Sequence, residues 1–188
     1  AYWYNTEAST FLSSIFYVED YPGWMRDWTN LQLPAAYAGS GWELLHPETD
    51  YAFADYDDQP WEKNYPGWGI VFPDHLFPDP ANIFFQAFLE TSPAADELTL
   101  SFAKALIAGE DLGADAVTDY LAISLNSVDY IGHAFGPSSL EAEDNLKRLD
   151  AQLGAFFNHL DQVVGLGNTL VVLSADHGAT EVPGYMNT

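Results

Sequence analysis

The chain predicts an α/β fold: a largely parallel sheet flanked by helices, with an aromatic, loop-rich segment in front of it. Three observations carry this prediction. A short apolar run, Asp119 to Leu125, is followed by a capped amphipathic helix and then by a second apolar run, Leu170 to Leu173. Strand, helix, strand is a βαβ unit, which crosses over right-handed. Each apolar run leads into an Asp/His pair, and open α/β sheets place their sites outside the C-terminal ends of strands. The boundary falls near residue 92: residues 1–92 are irregular and aromatic-rich, and residues 93–188 form the α/β core, within a single domain of 188 residues.

The first part justifies its share of that reading. Phe11 to Val18 reads as a strand, and Tyr21 to Trp28 as a turn opening a short helix. Pro34, Pro47, Pro60, Pro66, Pro73, Pro78 and Pro80 interrupt the stretch that follows. Trp42, Tyr51, Phe53, Tyr56, Trp61, Tyr65 and Trp68 are read as anchors holding this irregular segment against a core, with a pocket lining or a partner surface as the alternative.

Regular spacing begins at Ser92-Pro93, an N-cap followed by proline in the first turn. Leu98, Phe102, Ala105 and Leu106 share one helical face, and Gly109 or Gly113 ends the helix. Asp119 to Leu125 is read as a buried strand. Gly132, Gly136 and Pro137 make Asp129 to Pro137 a loop. Ser138 to Glu141 fits a capping box. Leu146, Leu149, Leu153, Phe156, Phe157, Leu160 and Val164 then carry an apolar face to a stop at Gly165 or Gly167. Leu170 to Leu173 is the second strand.

The Asp/His pairs carry the chemistry. Asp129 and His133 are four residues apart, and Asp176 and His177 are adjacent. Two imidazoles and two carboxylates suit a borderline metal such as zinc. Adjacent residues of a straight strand face opposite ways, so Asp176 and His177 reach one ion only where the chain has turned, a turn expected at Gly178. His46, His75 and His159 have no motif around them, and His159 is read as a surface or packing residue of the long helix. Ser124, Ser127, Ser174 and Thr180 are read as hydrogen-bonding loop residues. Nothing in the sequence places Arg26, Lys63, Lys104, Lys147 or Arg148 at the site.

The runs S-V-D-Y-I-G-H-A-F-G-P-S-S-L-E and V-V-L-S-A-D-H-G together resemble the alkaline phosphatase superfamily. The likeness is dense from about Thr91 to Tyr185 and looser at Tyr2 to Tyr4 and Tyr17 to Trp28. It points to the secreted or periplasmic bacterial alkaline phosphatases with a threonine nucleophile, with type I phosphodiesterases and nucleotide pyrophosphatases as near relatives. The resemblance implies an alkaline-phosphatase-like fold, a phosphorylated small-molecule substrate and two zinc ions. Asp129 and His133 would hold one ion, with a distal histidine beyond Thr188. Asp176 and His177 would hold the other, with an aspartate and the nucleophilic Thr or Ser before Ala1. A phosphoenzyme forms on that hydroxyl in the family, so no catalytic nucleophile is expected in this chain. The expectation is an internal fragment of a phosphomonoesterase, inactive alone, whose partner is the remainder of its own chain. A phosphodiesterase or nucleotide pyrophosphatase, and a metal-binding fragment without turnover, are the alternatives. Export to the periplasm or medium is implied by the branch, although the chain shows no signal peptide.

Composition narrows the partners. There are 28 acids against five Lys and Arg, a formal charge of −23. A basic patch for nucleic acid is absent from such a sequence. No apolar run has membrane-spanning length, and without Cys there is neither a disulfide nor a thiolate site. The dispersed acids read as a solvated surface; adaptation to a salty medium is the sharper alternative, because salt screens self-repulsion. That alternative predicts a thermal midpoint that rises between low and molar salt, by about 2–4 °C per kcal/mol gained at this length. A midpoint indifferent to salt in a circular dichroism melt leaves the solvated-surface reading.

Overall fold

The computed structural model describes residues 1–73 and 75–187. Its regular elements are β1 (Trp3–Asn5), β2 (Thr10–Leu12), α1 (Gly23–Asn30), β3 (Gly41–Trp42), β4 (His75–Leu76), α2 (Phe85–Glu90), α3 (Ala94–Gly109), α4 (Ser127–Phe135) and α5 (Leu140–Val163), with short 3₁₀ turns between them. β1 and β2 form an antiparallel hairpin with Tyr4 opposite Phe11, and β3 pairs antiparallel with β4 with Trp42 opposite His75. Helices do most of the packing: α1 lies on α3, α3 on α5, and α4 on α5.

Apolar burial divides into three connected clusters. The largest joins Trp42, Trp68, Phe77, Phe85, Phe88, Leu89, Ile131 and Phe135, and so ties the irregular segment to α2 and α4. Phe88 is fully buried and stacks on Trp68 with ring centroids 4.4 Å apart. A second cluster seats Phe11, Met25 and Trp28 on Leu98 and Phe102 of α3. The third joins Leu100, Ala103 and Ile107 to Phe156 of α5. Most of the aromatic residues of the irregular segment therefore serve as core, as the sequence implies.

Helix ends follow the sequence closely. α3 starts at Ala94, with the Ser92 hydroxyl accepting from Ala94 N at 3.4 Å, and stops at Gly109. A Cβ at Gly109 would run into the indole of Trp24, so only glycine lets α1 approach there. α5 ends as Gly165 takes φ +89°. Its start is one residue later than expected. Ser139, not Ser138, is the cap and accepts from Ala142 N at 3.1 Å. Glu141 is therefore not the return half of a capping box; it is fully buried.

Three other expectations are corrected. Strand pairing in Phe11 to Val18 stops at Leu12, and Ile15 and Phe16 stand almost wholly exposed. Asp119 to Leu125 and Leu170 to Leu173 form no strand among the described residues. In the first, Ile123 and Leu125 still turn toward α3 while Ala122 and Ser124 face out, the alternation of a strand without a neighbour. In the second, Leu170, Val172 and Leu173 are exposed. An apolar run has strand propensity, but a strand needs a second one to pair with. Asp129 to Pro137 is helix α4 up to Phe135, not a loop. Gly132 costs that helix about 1 kcal/mol relative to Ala, and burial of Ile131, Ala134 and Phe135 outweighs it.

The acids at the start of α5 join the two parts of the chain. Asp144 is buried and accepts from Trp42 Nε1 at 2.6 Å, Leu45 N at 2.8 Å, the Tyr51 hydroxyl at 2.5 Å and Arg148 Nε at 2.6 Å. Glu143 accepts from Phe53 N at 2.9 Å. Glu141 Oε1 lies 3.4 Å from Nε2 of the fully buried His75, whose ring is walled by Trp42, Trp68, Phe72 and Phe135. Burial pushes the Glu141 carboxyl up to about 8, with Asp57 and Asp144 adding repulsion. Burial also pushes Glu62 up to about 8, with Glu141 as the next cause. Acids raised in this way bind protons more tightly folded than unfolded. Their contribution to stability is complete below their ordinary value near 4.5 and is lost as pH rises through about 8.

Two predictions follow from the packing. Phe88→Ala should lower the unfolding free energy by about 3–5 kcal/mol, because a fully buried stacked ring is removed; urea denaturation measures it. Glu141→Gln should flatten the fall in stability between pH 5 and pH 9, retaining about 1–3 kcal/mol at the alkaline end that the wild type loses by ionising a buried group. Parallel urea curves for wild type and variant at both pH values test this.

Candidate metal centre

α4 presents the first Asp/His couple because its buried apolar residues fall on the opposite face, although Val128 and Tyr130 also stand exposed. Ile131, Ala134 and Phe135 are buried, whereas Asp129 and His133 are 47% and 78% exposed at their side chains. Spacing of one helical turn brings Asp129 Oδ1 to 3.5 Å from His133 Nε2. The first turn of α4 is capped from outside. Asp96 Oδ1, on α3, accepts from Asn126 N at 3.0 Å and Ser127 N at 3.2 Å. At the other end Gly136 takes φ +103° and turns the chain toward α5.

The second couple lies on the exposed stretch that follows α5. The chain bends at Asp176 itself, two residues before the expected Gly178 turn. As a result the adjacent side chains point to the same side: His177 Nε2 is 3.7 Å from Asp176 Oδ2. It is also 3.8 Å from Asp129 Oδ1. The four residues thus form one chain of contacts, His133–Asp129–His177–Asp176, across two elements far apart in sequence. Among the described residues, no three His, Asp or Glu side chains already stand as a group that could hold an ion. His177 Nδ1 lies 3.0 Å from the Gly178 carbonyl, so a proton on Nδ1 leaves the Nε2 lone pair facing Asp129. That carbonyl, followed by Asp176 and Asp129, raises the imidazole above its ordinary value.

Other candidates have structural employment. The Ser124 hydroxyl donates to Asn126 Oδ1 at 2.8 Å, and Ser127 is buried at the start of α4. Lys147 pairs with Glu143 at 3.3 Å and Arg148 with Asp144. Ser174 and Thr180 are the exceptions: they are exposed and make no hydrogen bond among the described residues, so they are not the hydrogen-bonding loop residues expected. Sequence reasoning passed over Asp96, which caps α4, and gave no place at the site to Lys63, whose main-chain N donates to Ala134 O at 2.7 Å. Neither carries a local signal, since each partner lies tens of residues away.

The chain is similar to known proteins over nearly its whole length. Alkaline phosphatase PhoV of Synechococcus elongatus is 42% identical over 99% of the chain, and alkaline phosphatase PafA of Elizabethkingia meningoseptica is 39% identical, also over 99%. The crystal structure of wild type PafA superposes on the whole chain with a TM-score of 0.90 and 39% identity, and the chain covers 36% of that structure. The alkaline-phosphatase-like α/β fold expected from the sequence is therefore the fold of this chain. It spans about a third of the length of the curated relatives it matches. The family model for type I phosphodiesterase / nucleotide pyrophosphatase matches residues 8–188, and the chain belongs to that family.

Proposed function

We propose that this chain forms part of a metal-dependent phosphate-ester hydrolase, a phosphomonoesterase acting on phosphorylated small molecules. The observation that carries the proposal is the 3.8 Å approach of His177 to Asp129, which joins the two Asp/His couples. The relatives named alkaline phosphatases support the reaction class. The donor set fits zinc: two imidazole nitrogens and two carboxylates, all exposed, with one imidazole already held in the tautomer that frees Nε2. Asp129 and His133 would hold one ion, and Asp176 and His177 a second.

Zinc bound there would supply Lewis-acid stabilisation of the charge on the attacking and leaving oxygens. The chain's own part is placement. α4 fixes the Asp129–His133 couple, the bend at Asp176 aims His177 toward it, and Asp129 spans the two. A charge of −23 with few Lys and Arg makes these side chains poor hosts for a phosphate anion unless they carry cations. The description of the matching family favours a second reading, a phosphodiesterase or nucleotide pyrophosphatase, which shares this site and differs in the ester it accepts. A periplasmic or secreted location is proposed with the phosphomonoesterase reading; among the described residues no helix is long and apolar enough to cross a membrane.

The test uses a protein of the relatives' full span that carries this chain. It should hydrolyse an aryl phosphate monoester faster than the matching diester, lose activity to a chelator and regain it with zinc. Asp176→Ala should lower kcat/KM by about 100-fold or more, beyond the 10–100-fold typical of residues that only support a ligand. Preference for the diester selects the second reading. Turnover that survives both chelation and Asp176→Ala refutes the proposal.

A further inference from the structure

The second couple has little to hold it. Residues 170–180 are all exposed, and among the described residues no hydrogen bond ties them to another element. The first attachments after His177 come at Glu181 to Gly184. Glu181 Oε1 accepts from the Ser138 hydroxyl, at the junction of α4 and α5. Val182 lies over Gly136, where a Cβ would stand 3.5 Å from Val182 Cγ2 and 3.8 Å from Trp61 Nε1. Gly184 packs against the indole of Trp61, so closely that a Cβ there would overlap the ring. Tyr56 adds a ring contact with Tyr185 at 5.4 Å.

Trp61 is itself held on the α4 side. Lys63, two residues on, donates its main-chain N–H to Ala134, the neighbour of His133. Glu62, between them, is buried. The indole therefore sits between the C-terminal end of the helix that carries Asp129 and His133 and the loop that returns from Asp176 and His177. We propose that Trp61 is a positioning residue for the two-couple centre: wedged between Gly136 and Gly184, it sets the distance and angle at which His177 meets Asp129. Gly184 is the complementary half, because its missing side chain is what admits the ring. The ligand class concerned is a divalent cation, so the inference rests on the proposed metal site and adds to it the part that fixes its geometry.

The test is binding of Co²⁺ alone to the protein, read by its visible d–d bands and by titration, with no turnover measured. His133→Ala marks whether the bands arise from this centre. Trp61→Ala and Gly184→Ala should weaken Co²⁺ binding by about 10–100-fold, the range for supporting residues at metal sites, and should alter the bands. Trp61→Phe, which keeps an aromatic ring against Gly184, should restore both affinity and spectrum toward wild type. A role confined to general stability would lower the melting temperature and leave the bands unchanged. Wild-type affinity and spectrum in Trp61→Ala and Gly184→Ala, with bands that still depend on His133, overturn the positioning role and leave the metal site standing. Wild-type protein that shows no bands, or bands indifferent to His133→Ala, overturns the site itself and this inference with it.

Discussion

Three acidic side chains on the first two turns of α5 hold the irregular part of the chain in place. Asp144 gathers four donors, Glu143 takes the backbone of Phe53, and Glu141 enters the aromatic box around His75. A segment with so many prolines cannot satisfy its own backbone by ladder or helix. Its polar groups are answered instead by carboxylates from a helix N-terminus, where negative charge is also favoured by the helix dipole. The arrangement makes the aromatic segment a fixed wall against which α4 can bury Ile131 and Phe135. Orientation of the Asp129–His133 couple follows from that burial.

Charge is distributed by the same logic. The chain has few cations, and two of them, Lys147 and Arg148, are spent on α5's own acids. Burial lets Glu62 and Glu141 keep their protons near neutrality, with neighbouring acids adding to the effect. At the exposed centre Asp129 and Asp176 face imidazoles across 3.5–3.8 Å with solvent around them. Buried acids therefore serve the architecture, and exposed acids are left available for a ligand.

Legibility in the sequence divided along the range of the interactions. The ends of α3 and the stop of α5 depend on Ser92, Gly109 and Gly165, which act on neighbours within a turn, and they were readable. The four candidate site residues stand in two short motifs, and the structure brings His177 of the second beside Asp129 of the first. The local pattern around Gly132 points to a loop where α4 stands, because the burial of Ile131 and Phe135 that makes the helix depends on distant aromatic residues. Asp119 to Leu125 has a strand's pattern of inward and outward residues, but its pairing lies outside any local rule. The role of Asp96 as a cap and the seat of the anchor Trp61 on Gly184 have no local sign for the same reason: their partners, Ser127 and Gly184, are about 30 and 120 residues away in the chain.

The cap supplied by Asp96 has a mechanical consequence. Its carboxylate belongs to α3, yet it terminates α4, so the two helices share one fixed point. α3 is in turn gripped by α1 through the Trp24 indole lodged at Gly109. A push on the hairpin side of the molecule that slid α3 along its axis would unwind the opening turn of α4 and swing Asp129 away from its imidazole neighbours. The grip on a cation could thus be loosened by force applied to a surface that never touches it.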